Sequence, residues 1–342
     1  MVLMFDSWNE SNARQKRGRV ELTLSTAPEH RERLSFTMSY QENTATEKPD
    51  VYRKVTDAIV NAIEQGVSTW RMPWHTSGKF AFSPINAVTK KPYRGLNIVA
   101  LWAVARSKGY ERGEWATYPQ WQERGAQVRK GEKSASVAFW KFADGRAESQ
   151  DGDEPEHVNS GSRLLFCREY HVFNAAQVDG YTPKADADTP IEQRIESADA
   201  FFGQVPARVA HQGNRAFYSP TDDTITLPPF AAYFTPLDYY STRAHETGHW
   251  TSHAGRCNRE LGKRFGDNAY SIEELIAELT AAFTLAHLGL SSEPRPDHAQ
   301  YIASWLKVLK ADKRAIFTAA SKAQQATDYI VRESGRAAEV AA

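Results

Sequence analysis

The sequence predicts an α+β protein in two parts: an N-terminal α+β domain over about residues 48–185, and a mainly helical domain with a small sheet over about 190–335. Three observations carry this. Helical and strand-like periods mix without strict alternation between Asp50 and Tyr181, so no βαβ repeat is written there. Residues 182–190, rich in Pro, Asp and Ala, read as a linker. Beyond Pro236 the chain reads as helix with short loops, preceded by one short strand pair. At 342 residues the chain is long enough for two ordinary domains, each with its own core.

Taken in order, residues 1–47 are polar and aperiodic and predict a disordered tail. Met38, just before the pattern becomes orderly, is a candidate alternative start. Val51, Val55, Ile59 and Ile63 then fall on one helical face, and Gly66 supplies a stop. A second helix is expected over 96–107, closed by Gly109. Strands are expected at 135–142 and 164–173, separated by a polar, acidic loop at 148–162. The second part opens with a helix near 191–202, and strands 217–219 and 224–227 flank the turn signal Asp222-Asp223. Thr235-Pro236-Leu237-Asp238 is a helix start: Thr caps, Pro suits the first turn, and Asp completes a capping box. A further helix begins near Tyr270 and carries the apolar stripe Ile272, Leu275, Ile276, Leu279 and Phe283.

Composition excludes several classes. Apolar and charged fractions of 41% and 25% are those of a globular protein, against a wholly disordered or fibrous one. The two cysteines, Cys167 and Cys257, form no disulfide framework and no Cys-x-x-Cys knuckle. That favours a reducing compartment and leaves metal binding to His and carboxylates. No apolar run approaches the roughly 20 residues that span a bilayer, and no apolar leader opens the chain. The expectation is a cytoplasmic protein with no membrane partner.

The helix opened by Thr235 runs through His245-Glu246-Thr247-Gly248-His249. Four residues make slightly more than one turn, so both imidazoles project from one face and can bind one Zn²⁺ at about 2.0–2.1 Å, as in zincins. Glu246 lies between them, placed to take a proton from an attacking water rather than to bind the metal. A hydrolytic zinc site needs three protein ligands and one open position. The third is sought among Glu273, Glu274 and Glu278. Glu274 and Glu278 share a helix face continued by Ala281, Ala282 and Leu285, which predicts burial and hence a need for a cationic partner. Glu274 is preferred as ligand over Glu278 or Glu273, with Glu278 one turn on as the group that orients a ligating histidine. Against this, Ser271-x-x-Glu274 is itself a capping box, which needs no metal. His253 continues the histidine row, but Ser252 and Gly255 occupy the positions where a metzincin has Gly and His, so it reads as a surface or supporting residue.

The neutral net charge hides an uneven distribution: residues 51–142 hold 15 Lys or Arg against 6 Asp or Glu, and six of the nine tryptophans. Cations interleaved with aromatics suit single-stranded nucleic acid, whose phosphates follow a basic groove while unpaired bases stack on rings. The candidate residues are Trp70, Arg71 and Trp74; Lys90, Lys91, Tyr93 and Arg94; and Arg129, Lys130 and Lys133. The alternative is a structural one: Trp102, on a helix of Leu and Val, reads as core, and 129–133 as a solvated turn. No helix-turn-helix, zinc-finger or RNP signature supports sequence-specific duplex reading.

The His-Glu-Thr-Gly-His motif, followed on a later helix by Glu273-Glu274-Leu275-Ile276-Ala277-Glu278-Leu279, resembles the gluzincin-like metallopeptidase domain of ArdC-type antirestriction proteins. It is also similar, more distantly, to the ImmA/IrrE peptidases. The set Asp50 to Arg53, Trp70, Pro73-Trp74, Asn86, Lys91 to Asn97, Trp115 to Tyr118 and Gly131 to Lys133 resembles the ArdC N-terminal domain, which also occurs in TraC-type primases. The resemblance spans about residues 50–317. It implies Glu274 as third ligand and a plasmid- or mobile-element-borne protein that binds single-stranded DNA entering a cell and protects it from restriction. A host restriction or other protein is the implied peptidase substrate. Two further readings stand beside it: a DNA-binding protein whose zinc site is structural, and a regulator peptidase of the ImmA/IrrE kind.

Overall fold

A computed structural model describes residues 51–66, 83–142, 164–182, 191–259, 268–291 and 298–335. The expected tail, the acidic loop, the linker beyond Thr182, and Trp70, Arg71 and Trp74 lie outside the described residues. In chain order the first half gives α1 (Val51–Gly66), β1 (Ile85–Asn86), α2 (Leu96–Lys108), β2 (Glu114–Thr117), α3 (Tyr118–Glu123), β3 (Gln127–Val128), β4 (Ala135–Phe142), β5 (Leu164–Asn174) and β6 (Val178–Asp179). The second gives α4 (Ile191–Gln204), β7 (Arg208–His211), β8 (Phe217–Ser219), β9 (Thr224–Leu227), α5 (Pro236–Trp250), α6 (Asn268–His287), α7 (His298–Ala311) and α8 (Ala315–Glu333).

The long elements sit where their periods put them. Gly109 closes α2 in the left-handed conformation (φ 67°), where its lack of Cβ removes the steric cost. β5 pairs antiparallel with both β2 and β4 in a four-stranded sheet of order β1-β2-β5-β4, in which only β1 runs parallel to its neighbour. β3 and β6 form a separate pair. β8 and β9 are the expected hairpin, and β7, which local sequence did not announce, adds to β9 in parallel.

Apolar faces from both halves close on each other. Val55, Ile59 and Ile63 of α1, Leu96, Leu101 and Trp102 of α2, and Val137 and Val172 of the sheet share one cluster with Leu275, Leu279 and Phe283 of α6, Trp305 of α7 and Ile316 of α8. The Trp102 and Phe283 rings stand 6.0 Å apart. Each such side chain, fully buried, contributes roughly 1.5–3 kcal/mol, which makes this cluster the dominant stabilising element. Polar ties reinforce it. Gly95 N–H donates to Gln324 Oε1 at 2.9 Å, Thr56 Oγ1 to the Lys313 carbonyl at 2.7 Å, and Arg94 pairs with Asp328. Residues 48–342 accordingly form one compact unit. A second cluster wraps α5 with α4, the β8–β9 hairpin, the far side of α6 and α8.

Candidate metal centre

Thr235 caps α5 as its sequence dictates: Thr235 Oγ1 accepts from Asp238 N–H at 3.2 Å, and Asp238 Oδ2 accepts from Thr235 N–H at 2.9 Å. The helix then carries His245, Glu246, Gly248 and His249 onto α6. Gly248 is what allows the contact: a Cβ there would lie 3.1 Å from Ala277 Cα, 3.2 Å from Ala277 O and 3.3 Å from Thr280 Cβ. Two backbones meet at van der Waals distance, so side chains from α5 and α6 face each other across a short gap. One correction follows for α6. It begins at Asn268, not at Ser271, so Ser271 lies inside the helix and Glu274 is not the third residue of a capped first turn. The capping-box account of Glu274 falls away.

His245 Nε2 lies 3.5 Å from Glu274 Oε2, and His249 Nε2 lies 3.6 Å from Glu274 Oε1. The three ligand atoms lie within 4.8 Å of one another. Two donors on a tetrahedral cation at about 2.0–2.1 Å stand about 3.4 Å apart, so the set suits a divalent metal. The remaining imidazole nitrogens face carboxylates too: His245 Nδ1 is 3.4 Å from Glu278 Oε2, and His249 Nδ1 is 3.3 Å from Glu273 Oε1. The first of these is not an aligned hydrogen bond, whereas the second is. Glu278 stands where the sequence put it, beside a histidine. Glu273, weighed there only as a rival ligand, instead supports the other ring.

Glu246, Glu273, Glu274 and Glu278 are each no more than 6% exposed, and Arg259 meets one of them. Carboxylates so buried require positive charge nearby. Burial alone would lower the pKa of His249, but Glu274, Glu273 and Glu246 outweigh it and push the value up to about 10. Burial likewise opposes ionisation of Glu274, yet His249 and His245 hold it far below the ordinary carboxylate range. The cluster therefore calls for a cation at the two Nε2 atoms, and the proton held on His249 meets part of that need until a metal replaces it. Tyr270, one turn before Glu274, brings a hydroxyl 3.3 Å from Tyr301. Burial, Tyr301 and Glu274 raise its pKa, which keeps it a neutral donor.

Sequence reasoning missed Gly248, Arg259 and Tyr270. A helical glycine inside His-Glu-Thr-Gly-His is the one signal that could have been read, as a point of close backbone approach. Arg259 lies in the turn after α5, and nothing local ties it to α6.

The basic half is arranged differently from its sequence reading. Tyr93 is 3% exposed and belongs to the main core, and Arg94 is taken by Asp328. Asn97 of the same motif makes a two-way tie to β4, with Nδ2 donating to Ala138 O at 2.9 Å and Ala138 N–H donating to Oδ1 at 2.8 Å. Asn86 Oδ1 accepts from Val88 and Thr89 N–H, shaping the turn that presents exposed Lys90 and Lys91. Much of the motif at 86–97 is thus scaffold. Arg129 is held by Asp179, Glu132 and the Ala176 carbonyl, whereas Lys130 and Lys133 are exposed. Trp102, Trp115 and Trp121 are core residues at 5%, 1% and 0% exposure. The exposed rings of this half, among the described residues, are Tyr118 and Tyr170. His253 is on the surface.

Comparison with known proteins agrees with the geometry. Residues 196–322 match the zincin-like metallopeptidase family, and residues 49–173 match the N-terminal domain of the anti-restriction factor ArdC. The class is thus a zincin-like metallopeptidase domain preceded by an ArdC-type domain, in an α+β fold. The crystal structure of the antirestriction ArdC protein from the R388 plasmid, in metal-free form, is 36% identical with a TM-score of 0.67, over 84% of this chain and 98% of that one. Its Mn(II)-bound form is 37% identical with a TM-score of 0.65, over 84% and 99%. The uncharacterized protein y4eC of Sinorhizobium fredii is 47% identical over 84% of this chain and 94% of its own length. DNA primase TraC of Escherichia coli is 34% identical over 85% of this chain, which spans only 20% of that primase. The chain belongs to the ArdC family of antirestriction proteins. No helix among the described residues is long and apolar enough to cross a membrane.

Proposed function

We propose that this protein binds single-stranded plasmid DNA during transfer and that its metal centre is a zinc peptidase site directed at a host protein, a restriction component being the leading substrate class. The observation that carries the peptidase half is the convergence of His245 Nε2, His249 Nε2 and Glu274 on one point, with Glu246 on the same helix. His245, His249 and Glu274 would hold Zn²⁺, which supplies a Lewis acid able to bring the pKa of a water molecule toward about 7. Glu246 accepts that water's proton as it attacks the peptide carbonyl, and returns it to the leaving amine. Glu273, hydrogen-bonded to His249 Nδ1, would hold that ring with Nε2 inward, and Glu278, 3.4 Å from His245 Nδ1, would face the other. A purely structural zinc is the weaker reading, because the R388 relative has been solved metal-free with the same fold.

DNA binding is supported by the cationic excess of residues 51–142, by the exposed Lys90, Lys91, Lys130 and Lys133, and by exposed Tyr118 and Tyr170 as stacking surfaces. Trp70, Arg71 and Trp74 stay in the proposal on sequence grounds. Setting for this activity is the cytoplasm of a recipient cell, where transferred DNA meets restriction.

Metal analysis and a transfer assay test the two halves. Purified protein should carry about one zinc per chain, and His245→Ala/His249→Ala should carry none; retained stoichiometric zinc in that variant refutes the site. Transfer into a restricting recipient, with Glu246→Gln beside the parent, asks whether hydrolysis matters. Equal protection leaves the peptidase without a role. Binding to single strands should exceed binding to duplex and weaken steeply with salt, as phosphate neutralisation requires.

A further inference from the structure

Glu273 and Glu274 are neighbours in sequence, both buried, both within 3.6 Å of a nitrogen of His249, and chemically identical. Something must decide which of them faces the cation. Arg259 grips Glu273 with both arms of its fork: Nε donates to Oε2 at 3.0 Å and Nη2 to Oε1 at 2.9 Å. The same guanidinium donates from Nη1 to Thr251 Oγ1 and from Nη2 to the Gly248 carbonyl, each at 2.8 Å. Thr251 Oγ1 in turn donates to the Gly248 carbonyl at 2.6 Å. Arg259 is only 4% exposed, and its backbone amide is fixed on the Ser252 carbonyl at 2.8 Å. The guanidinium thus joins the C-terminal end of α5 to one carboxylate of α6, in a planar two-pronged geometry that a lysine ammonium does not reproduce.

We infer that Arg259 assigns the two adjacent glutamates their separate tasks: by holding both oxygens of Glu273 against the end of α5, it keeps that carboxylate on His249 Nδ1 and leaves Glu274 as the carboxylate that faces the metal position. This rests on the metal-site reading above and adds a selector to it. Arg259 is a positioning residue that acts through Glu273 and touches no reactant. Two consequences follow from the geometry. His249 keeps its proton on Nδ1 and offers Nε2 inward, and Glu273 is prevented from swinging in as an extra ligand that would fill the position substrate and water need.

The test uses the full-length protein loaded with Co²⁺, whose visible bands are strong in four-coordinate and weak in five- or six-coordinate sites. Metal affinity is read in parallel by competition with a chromophoric chelator. The parent should give strong bands. Arg259→Met frees Glu273, so its bands should weaken as coordination number rises, and its affinity should change by 10-fold or more. Adding Glu273→Gln to Arg259→Met removes the freed carboxylate and should restore the strong bands, a recovery that loss of packing alone would not produce. If Arg259→Met does not fold, Arg259→Lys, which keeps the charge but loses the fork, should show the same weakening. Parent-like spectra and affinities within about 2-fold in the single variants overturn the inference while leaving the metal site intact. A parent protein that takes up no cation overturns the metal-site reading and this inference with it.

Discussion

Gly248 shows how one residue sets the geometry of a centre to which it contributes no donor. Alanine is normally favoured over glycine inside a helix by about 1 kcal/mol. Here the added methyl meets backbone atoms of Ala277 at 3.1 and 3.2 Å, which cannot rotate away. Gly248→Ala should therefore destabilise by roughly 1–3 kcal/mol and weaken metal binding as α5 and α6 move apart, read by thermal melts and chelator competition. A stabilised variant would show the contact to be soft. Protonation makes a second residue-level prediction. The pKa of His249, raised by its carboxylate neighbours to about 10 in the metal-free protein, means the ring carries a proton at neutral pH that a metal must displace. Metal uptake at pH 7 should release protons, measured by calorimetry in buffers of different ionisation enthalpy, and affinity should rise with pH up to that value. The two histidines and Glu246 were legible because one helical period fixes their mutual placement, whereas Glu274, on another helix, was reached through the apolar face it shares with Ala281, Ala282 and Leu285 and through the family resemblance. Glu273's partner was not, since Arg259 reaches it from a turn whose path is set by tertiary contacts.

Among the elements, those that carry their own period were readable and those made by distant pairing were not. β4, β8 and β9 match the sequence reading residue for residue, and α5 starts at its expected Thr235 cap and runs through His249. β1, β3 and β6 are two-residue strands, too short to display alternation, and exist only because a partner strand passes by. α6 begins one turn earlier than Ser271 suggested, through the exposed Asn268 and Ala269. The hairpin β8–β9 is fastened to the turn after α5 by Arg256, which bonds Asp223 and Tyr218 and stacks 4.1 Å above Trp250. Arg256 holds the Asp223 carboxyl below the ordinary Asp range, against a smaller opposing effect of burial. A depressed folded-state pKa contributes stability that is present above the unfolded value and is lost as pH falls through the folded one. Asp223→Asn should cost at most about 1 kcal/mol near neutrality, because the pair is partly solvated, and the difference from parent should vanish in acid. A difference that persists at low pH would assign the tie to Tyr218 rather than to charge.

At the scale of the whole molecule, the change of composition near 182–190 marks where two family domains meet in sequence, but it says nothing about packing. The apolar faces of α2 and α6 look alike whether each closes its own core or they close one together, so the shared core was invisible until the chain was folded. Because the core that holds Leu275, Leu279 and Phe283 also draws on Ile59, Leu96 and Trp102, with the Trp102 ring against Phe283, a fragment of residues 191–342 lacks part of it. Such a fragment should aggregate or melt without cooperativity and bind metal poorly, as gel filtration and circular dichroism would report; a monomeric, cooperatively melting fragment would show that the shared core is dispensable.

The 20 residues of α6 belong at once to the interior wall that both halves lean on and to the acidic side of the metal centre. Heating should consequently not strip a bound ion and spare the remainder, or loosen the basic half while the zincin-like half stands. A calorimetric trace should hold a single endotherm, and each added increment of zinc should carry that whole peak to higher temperature rather than split it.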